Sequence, residues 1–225
     1  TYCDLENPRI GKDYIAKTLT FNDLNTKIVR ILLTGFEPFY NESINSSWEV
    51  VSSFSIKNSS VKIKKVCLPV SFKKAVAGLE EAVTCYKPDI VLCLGQSSSR
   101  FEINVERVAI NVRHNTKPDN DGNTYKDVPV FSDGPDAYFS NLPIRQMVES
   151  VCRIGIPAIV SNTAGTYVCN TVFYAAMHLV HTKFPSLRAG FIHIPYLPCQ
   201  AVGKTKQPSM SKEMICQALE IMIQE

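Results

Sequence analysis

Ile28-Val29-Arg30-Ile31-Leu32-Leu33 is a compact, almost unbroken apolar run that stops at Thr34-Gly35. A run this short, closed by turn residues, reads as a strand buried on both faces. Ile90-Val91-Leu92-Cys93-Leu94 repeats the pattern after a break at Pro88-Asp89, and 158–160 and 189–194 are two further short apolar strands. Lys62 to Val70 reads as a strand as well, and 105–112 alternates irregularly and reads as extended chain. Between these runs the period changes. Phe72, Val76, Leu79 and Val83 recur at helical spacing, which predicts an amphipathic helix over 71–85. Ser46-Ser47-Trp48-Glu49 sets a Ser three residues before a Glu, a capping-box start for a helix running to about Phe54. Pro143 opens a helix with Ile144, Met147, Val148 and Val151 on one face. Helices over 171–183 and 210–223 complete the series. Strands alternating with helices predict an α/β three-layer sandwich, with a mostly parallel, twisted mixed central sheet and helices on both faces.

Residues 1–27 are polar and weakly patterned and read as an N-terminal extension, whereas 28–225 read as a single domain. Residues 114–137 are rich in Asn, Asp, Gly, Pro and Thr, which marks a long surface loop or short hairpin. With 45% hydrophobic and 20% charged residues in 225, the chain is an ordinary globular sequence; collagen-like, coiled-coil and largely disordered readings are excluded. Its apolar runs fall well short of the roughly 18 residues that a membrane span needs, so no membrane partner is expected. The net charge is +3, and Lys and Arg come at most in pairs such as Lys64-Lys65 and Lys73-Lys74. Nucleic-acid recognition needs a concentrated basic face, and none is present.

There are eight cysteines but no CxxC pair, which excludes zinc-finger and thioredoxin-type motifs; no metal site is expected. Cys67, Cys93 and Cys216 lie in apolar stretches and read as small buried hydrophobes. That usage points to a reduced, cytoplasmic setting. An exported protein is the alternative, given the start at Thr1 and the sequons at Asn41, Asn45 and Asn58.

In open α/β sheets, sites form in the loops after the carboxyl ends of strands. Thr34-Gly35-Phe36-Glu37-Pro38-Phe39 follows the first strand, and its two phenylalanines either plug the sheet end or line an apolar pocket. Gly95-Gln96-Ser97-Ser98-Ser99-Arg100 is neither GxGxxG nor a P-loop, so no nucleotide is expected there. Ser161 to Asn170 carries the chain to a helix start and places Cys169 at or near its N-terminus. There unpaired N–H groups and the positive dipole end favour a thiolate and can hold an oxyanion. Against this stands the plainer view that Cys169 is one more buried cysteine. His193 stands at a strand end just before Pro195, where a base is expected, although a His among apolar neighbours is commonly a satisfied core residue. His178 and His181 fall mid-helix and His114 in a loop. A Cys–His pair needs a third group to orient the imidazole, and Glu106 or Asp119 can serve. Spacing does not choose between them, so the residues alone yield a cysteine-hydrolase hypothesis without a fixed set of partners.

Six segments together resemble the pyroglutamyl peptidase I (pyrrolidone carboxyl peptidase) family of cysteine peptidases. They are LLTGFEPF at 32–39 with SWEVV at 47–51, LGQ at 94–96 followed by VERVAIN at 105–111, GPDAYFSNLPI at 134–144, SNTAGTYVCN at 161–170, GFIHIPYLPCQAV at 190–202 and QPSMS at 207–211. The resemblance runs in order from about Ile28 to the C-terminus. It implies a cofactor-free hydrolase that removes an N-terminal pyroglutamyl residue from peptides, and a homodimer or homotetramer. By the same resemblance Cys169 is the nucleophile, His193 the base and Glu106 its partner. Phe36 and Phe39 supply an apolar slot, Tyr167 and Val168 its further walls, and Gln96 reads the lactam amide.

The chain departs from the family at three places. Ser98-Ser99-Arg100 stands where Gly-Gly-Arg is common, and His114-Asn115-Thr116-Lys117-Pro118 where Asp-Ala-Arg-Ile-Pro is usual. Cys199 stands where a Glu is frequent. The missing Arg motivates a rival expectation, a non-catalytic or weakly active module that binds pyroglutamyl peptides; a third reading makes Cys169 a redox-sensing thiol.

Overall fold

The computed structural model describes residues 28–225; the expected N-terminal extension, 1–27, lies outside them. Six strands form one sheet: β1 (Val29–Phe36), β2 (Val61–Leu68), β3 (Ile90–Gln96), β4 (Ile103–Glu106), β7 (Ala158–Ser161) and β8 (Arg188–Ile194). Their order is β2-β1-β3-β8-β4-β7. The first four run parallel, β4 and β7 run parallel to each other, and the two blocks meet in an antiparallel β4–β8 pair. The sheet is therefore mostly parallel and mixed. A separate hairpin pairs β5 (Val108–Ile110) with β6 (Ala137–Phe139). The extended stretch expected over 105–112 is thus split: after Glu106 the chain leaves the main sheet for the hairpin.

Period-two alternation along the central strands divides the core in two. Leu32, Phe36, Val91, Cys93, Ala189 and Phe191 face α2 (Phe72–Tyr86) and α4 (Val168–Thr182). Leu33, Leu92, Leu94, Ile192 and Ile194 face α1 (Ser46–Ser53), α3 (Ile144–Arg153) and α6 (Lys212–Ile223). Two buried faces account for the unbroken apolar runs of β1, β3 and β8. The edge strand β2 alternates instead, which exposes Cys67; its expected burial is corrected, while Cys93 is buried and Cys216 half-buried. Every described cysteine is free.

Several helix starts differ from the expected ones, and α6 begins at Lys212 rather than at 210. The N-cap of α1 is Asn45, whose side chain accepts from the Ser47 N–H, so the cap lies one residue before the Ser of the predicted box. Helix α4 begins at Val168 rather than Thr171, so Cys169 sits within its first turn. A one-turn helix, α5 (Pro198–Ala201), follows β8 and was not foreseen. Among the described residues, no helix is long and apolar enough to cross a membrane, and no cluster of His, Cys, Asp or Glu has the geometry to hold a metal.

Candidate active site

The parallel strands β1, β3 and β8 all end at one edge of the sheet, and the first turn of α4 lies over that edge. On the α4 side, pleating aligns three residues. In the register, Gly95 of β3 lies beside His193 of β8, and on the other side Asn104 of β4 lies opposite His193. Glu106 is two residues further along β4 on the same face, a diagonal neighbour within reach of a long side chain. Its Oε1 lies 2.8 Å from His193 Nδ1. Asn104 and Glu106 are polar, and both are fully buried.

Gly95 leaves the space that the sulfur occupies. A Cβ placed there would come within 2.9 Å of Cys169 Sγ and 2.7 Å of the Phe191 ring. The sulfur thus stands over β3, next to the imidazole of the adjacent strand. Burial alone would discharge that imidazole. The Cys169 sulfur beside it, together with the bonded Glu106 carboxylate, outweighs desolvation and raises the His193 pKa from 6.5 to about 9. Asn170 anchors the helix start from the far side. Its side-chain amide donates to the carbonyls of Ile110 and Val112 (2.9 and 3.1 Å) and accepts from the Ile110 N–H at 3.0 Å. This ties α4 to the hairpin and fixes the turn that carries Cys169.

Asp119, the other carboxylate considered, is spent elsewhere. It accepts from the Phe72 N–H at the start of α2 and from Asp121 and Asn123 within its own loop. The remaining histidines also lie apart. His114 pairs with Asp127 at 3.0 Å on the surface, His178 bonds the Tyr138 hydroxyl, and His181 stacks on the Tyr138 ring.

Beside the sulfur is a narrow cleft lined by Phe36, Phe39, Asn45, Val70, Gln96, Tyr167, Val168 and Cys169. All five residues expected to bind substrate are in it. The two phenylalanines divide the roles left open by the sequence: Phe36, buried, packs against Phe191 (centroids 6.3 Å apart) and floors the cleft, whereas Phe39 is half-buried against Tyr40 and Tyr167. Asn45 and Val70 were missed. The signal for Asn45 was its capping chemistry: it accepts from Ser47 and donates to the Glu37 carbonyl, clamping the Phe36–Phe39 loop to α1. The cleft holds about 20 Å³ of free space. A roomier groove of about 460 Å³, lined by Arg30, Lys87, Phe184 and Arg188, lies at the amino-terminal ends of the strands, away from Cys169. Thr116 and Lys117 lie outside the cleft, and the Lys117 ammonium sits 4.9 Å over the Tyr40 ring.

A sequence profile described as pyroglutamyl peptidase matches residues 29–225. The chain belongs to the pyroglutamyl peptidase family. Among relatives, it is 48% identical over 191 residues to the pyrrolidone-carboxylate peptidase of Thermosipho africanus, covering 85% of this chain and 93% of the relative. It is 45% identical over 195 residues to that of Brachyspira hyodysenteriae, covering 87% and 97%. Its fold superposes on crystallised pyroglutamyl peptidase I from Bacillus amyloliquefaciens with a TM-score of 0.83 at 43% identity, covering 86% of this chain and 92% of that one. A mutant pyrrolidone carboxyl peptidase from Pyrococcus furiosus gives 0.84 at 38% identity, covering 87% and 97%. Such coverage takes in nearly the full length of each relative, so the likeness is one of architecture and not of a shared fragment.

Proposed function

We propose that this protein is a cysteine-type omega-peptidase that hydrolyses the bond between an N-terminal pyroglutamyl residue and the rest of a peptide, with Cys169 as nucleophile, His193 as acid–base and Glu106 as orienting carboxylate. The observation that carries this reading is the buried His193–Glu106 pair beside Cys169, whose side chain lines an apolar cleft. Transfer of the thiol proton to His193 gives a thiolate and an imidazolium, the latter held by Glu106. The thiolate attacks the pyroglutamyl carbonyl, forming the C–S bond and an oxyanion. The free N–H groups in the first turn of α4 face that charge at the positive end of the helix. The oxyanion collapses, the C–N bond breaks, and the imidazolium delivers its proton to the departing amine, leaving a thioester. Neutral His193 then takes a proton from water as it attacks the thioester; pyroglutamate leaves, and the thiol is restored.

The substrate class follows from the walls. Pyroglutamate is a small, flat, uncharged lactam, suited to a slot between aromatic rings with a polar contact. Phe36, Phe39, Tyr167 and Val168 supply the slot, and Gln96 supplies the polar contact. About 20 Å³ holds roughly one water molecule, so Phe39 and Tyr167, the half-buried walls, move outward to admit the ring. The cleft lining includes no carboxylate to bind an ammonium group, which disfavours peptides with a free N-terminus. The rival expectation of a non-catalytic binding module rested on the missing Arg. Thr116 and Lys117 lie outside the cleft lining, whereas Phe36, Phe39, Gln96, Tyr167, Val168 and Cys169 all belong to it.

The test is turnover of a chromogenic pyroglutamyl amide by wild type and Cys169→Ala side by side. Hydrolysis by wild type that disappears in Cys169→Ala and after thiol alkylation is the expected result. An inert wild type that still binds the lactam favours the binding module, and full activity in Cys169→Ala removes the proposed chemistry.

A further inference from the structure

Gln96 lines the cleft and is over nine-tenths buried, yet its Nε2 has no hydrogen-bond partner, a costly arrangement for a buried donor. Its Oε1, by contrast, accepts twice, from the Ser46 N–H and from Gln200 Nε2, each at 2.8 Å. The Ser46 donor is backbone and cannot reverse its role, so it draws the oxygen of Gln96 towards α1. Gln200 is fixed in the same way: its Oε1 accepts from the Leu197 N–H at 3.0 Å, which leaves Nε2 to donate to Gln96 and, at 3.2 Å, to the Ile44 carbonyl. The Leu197 N–H thus orients Gln200, and Gln200 together with the Ser46 N–H orients Gln96.

From this arrangement we infer that Gln200, which is outside the cleft lining, is a positioning residue for lactam recognition: it occupies the Gln96 carbonyl oxygen and so commits Gln96 to donating Nε2–H to the ring carbonyl of pyroglutamate. The inference rests on the peptidase reading above and deepens it. With both lone pairs of Oε1 taken, Gln96 cannot accept from the lactam N–H; it reads the C=O alone. The clamp also gives the slot a means of rejecting a prolyl residue, which has the same ring without the carbonyl and would leave the buried donor unpaired.

Gln200→Glu tests this with little change of shape. The carboxylate still accepts from the Leu197 N–H but offers Gln96 Oε1 no donor and attracts Nε2 instead, so it draws the Gln96 amide round against the single remaining Ser46 bond. The expected result with a chromogenic pyroglutamyl amide is a KM raised about tenfold or more, with kcat within about threefold. The rate of Cys169 alkylation by iodoacetamide should stay unchanged, because the nucleophile is untouched. If Gln200 acts through Gln96, the double variant Gln96→Leu/Gln200→Glu is no worse than Gln96→Leu alone. Independent, multiplying losses in the double variant, or an unchanged KM in Gln200→Glu, would overturn the clamp while leaving the peptidase intact. A wild type that fails to cleave the amide would overturn the peptidase reading, and the clamp with it.

Discussion

Replacing Gly95 with alanine adds one carbon atom at the most crowded point of the site. That carbon would lie 2.9 Å from Cys169 Sγ and 2.7 and 2.8 Å from two atoms of the Phe191 ring. The ordinary separation of such atoms is about 3.5–4.0 Å, so close to 1 Å of displacement has to be found. Phe191 cannot supply it easily: it is fully buried and packed by Phe36, Phe173 and His193, with ring centroids 6.3, 6.0 and 4.9 Å away. The sulfur, half-buried and facing the cleft, gives way instead. Overpacking of this kind costs about 1–3 kcal/mol of stability. At roughly 2–4 °C per kcal/mol for a domain of this size, that lowers Tm by about 2–12 °C. Misplacing a reacting group by about 1 Å costs on the order of 100-fold in rate. The assay is kcat/KM on a pyroglutamyl amide at 25 °C, where circular dichroism shows the variant folded, together with the rate of Cys169 alkylation. Both should fall in Gly95→Ala. Activity within twofold of wild type and an unchanged Tm would refute the packing argument.

In the proposed mechanism His193, whose pKa is raised to about 9 by the Cys169 sulfur and Glu106, is the acid that protonates the leaving amine. Activity should therefore decline on the alkaline side as pH passes about 9, and Glu106→Gln, which removes one of the upward influences, should move that limb to lower pH in a kcat/KM profile. The sign for stability is the same. The pairing contributes fully below pH 6.5 and is lost as pH rises through about 9, a difference readable in denaturant titrations of wild type and Glu106→Gln. Asn170→Ala removes three bonds to the hairpin and should cost roughly 2–3 kcal/mol by urea unfolding, with a lower kcat because the turn bearing Cys169 loosens. Tyr167→Phe loses only the hydroxyl bond to the Pro118 carbonyl and should keep KM within about twofold, whereas Tyr167→Ala opens one wall of the slot and should raise KM by about tenfold in steady-state assays.

The architecture was legible because its strands are buried on both faces. β1, β3 and β8 read as uninterrupted apolar runs, and α2 showed its stripe in Phe72, Leu79 and Val83. The edge strand β2 betrayed its burial less well, since a strand covered on one face alternates and Cys67 falls on the open side. The start of α4 was misplaced by three residues because Val168-Cys169-Asn170 carries no helical period; its first turn is fixed by the Asn170 bonds to a hairpin some 60 residues away. Asn45 took the cap expected of Ser46 because its side chain also had to hold the Glu37 carbonyl.

Cys169, His193 and the apolar walls of the cleft lie at strand ends and at a helix start, where their residue types stand out locally, and they could be singled out. The choice of Glu106 over Asp119 could not be made from the residues, because it depends on the antiparallel meeting of β4 and β8, which sets Asn104 opposite His193. The Gln96–Gln200 pair spans 104 positions and joins two amides that carry no charge and no periodic pattern. Neither residue type signals such a pairing from sequence.

The account turns on whether a pyroglutamyl group is carried on one sulfur between two half-reactions. Acid-quenching wild-type enzyme during turnover of a pyroglutamyl ester and mapping the adduct by peptide mass spectrometry tests this directly. A pyroglutamyl thioester on the peptide containing Cys169 is the predicted result. An adduct on another residue, or continued turnover with Cys169 replaced by alanine, would contradict it.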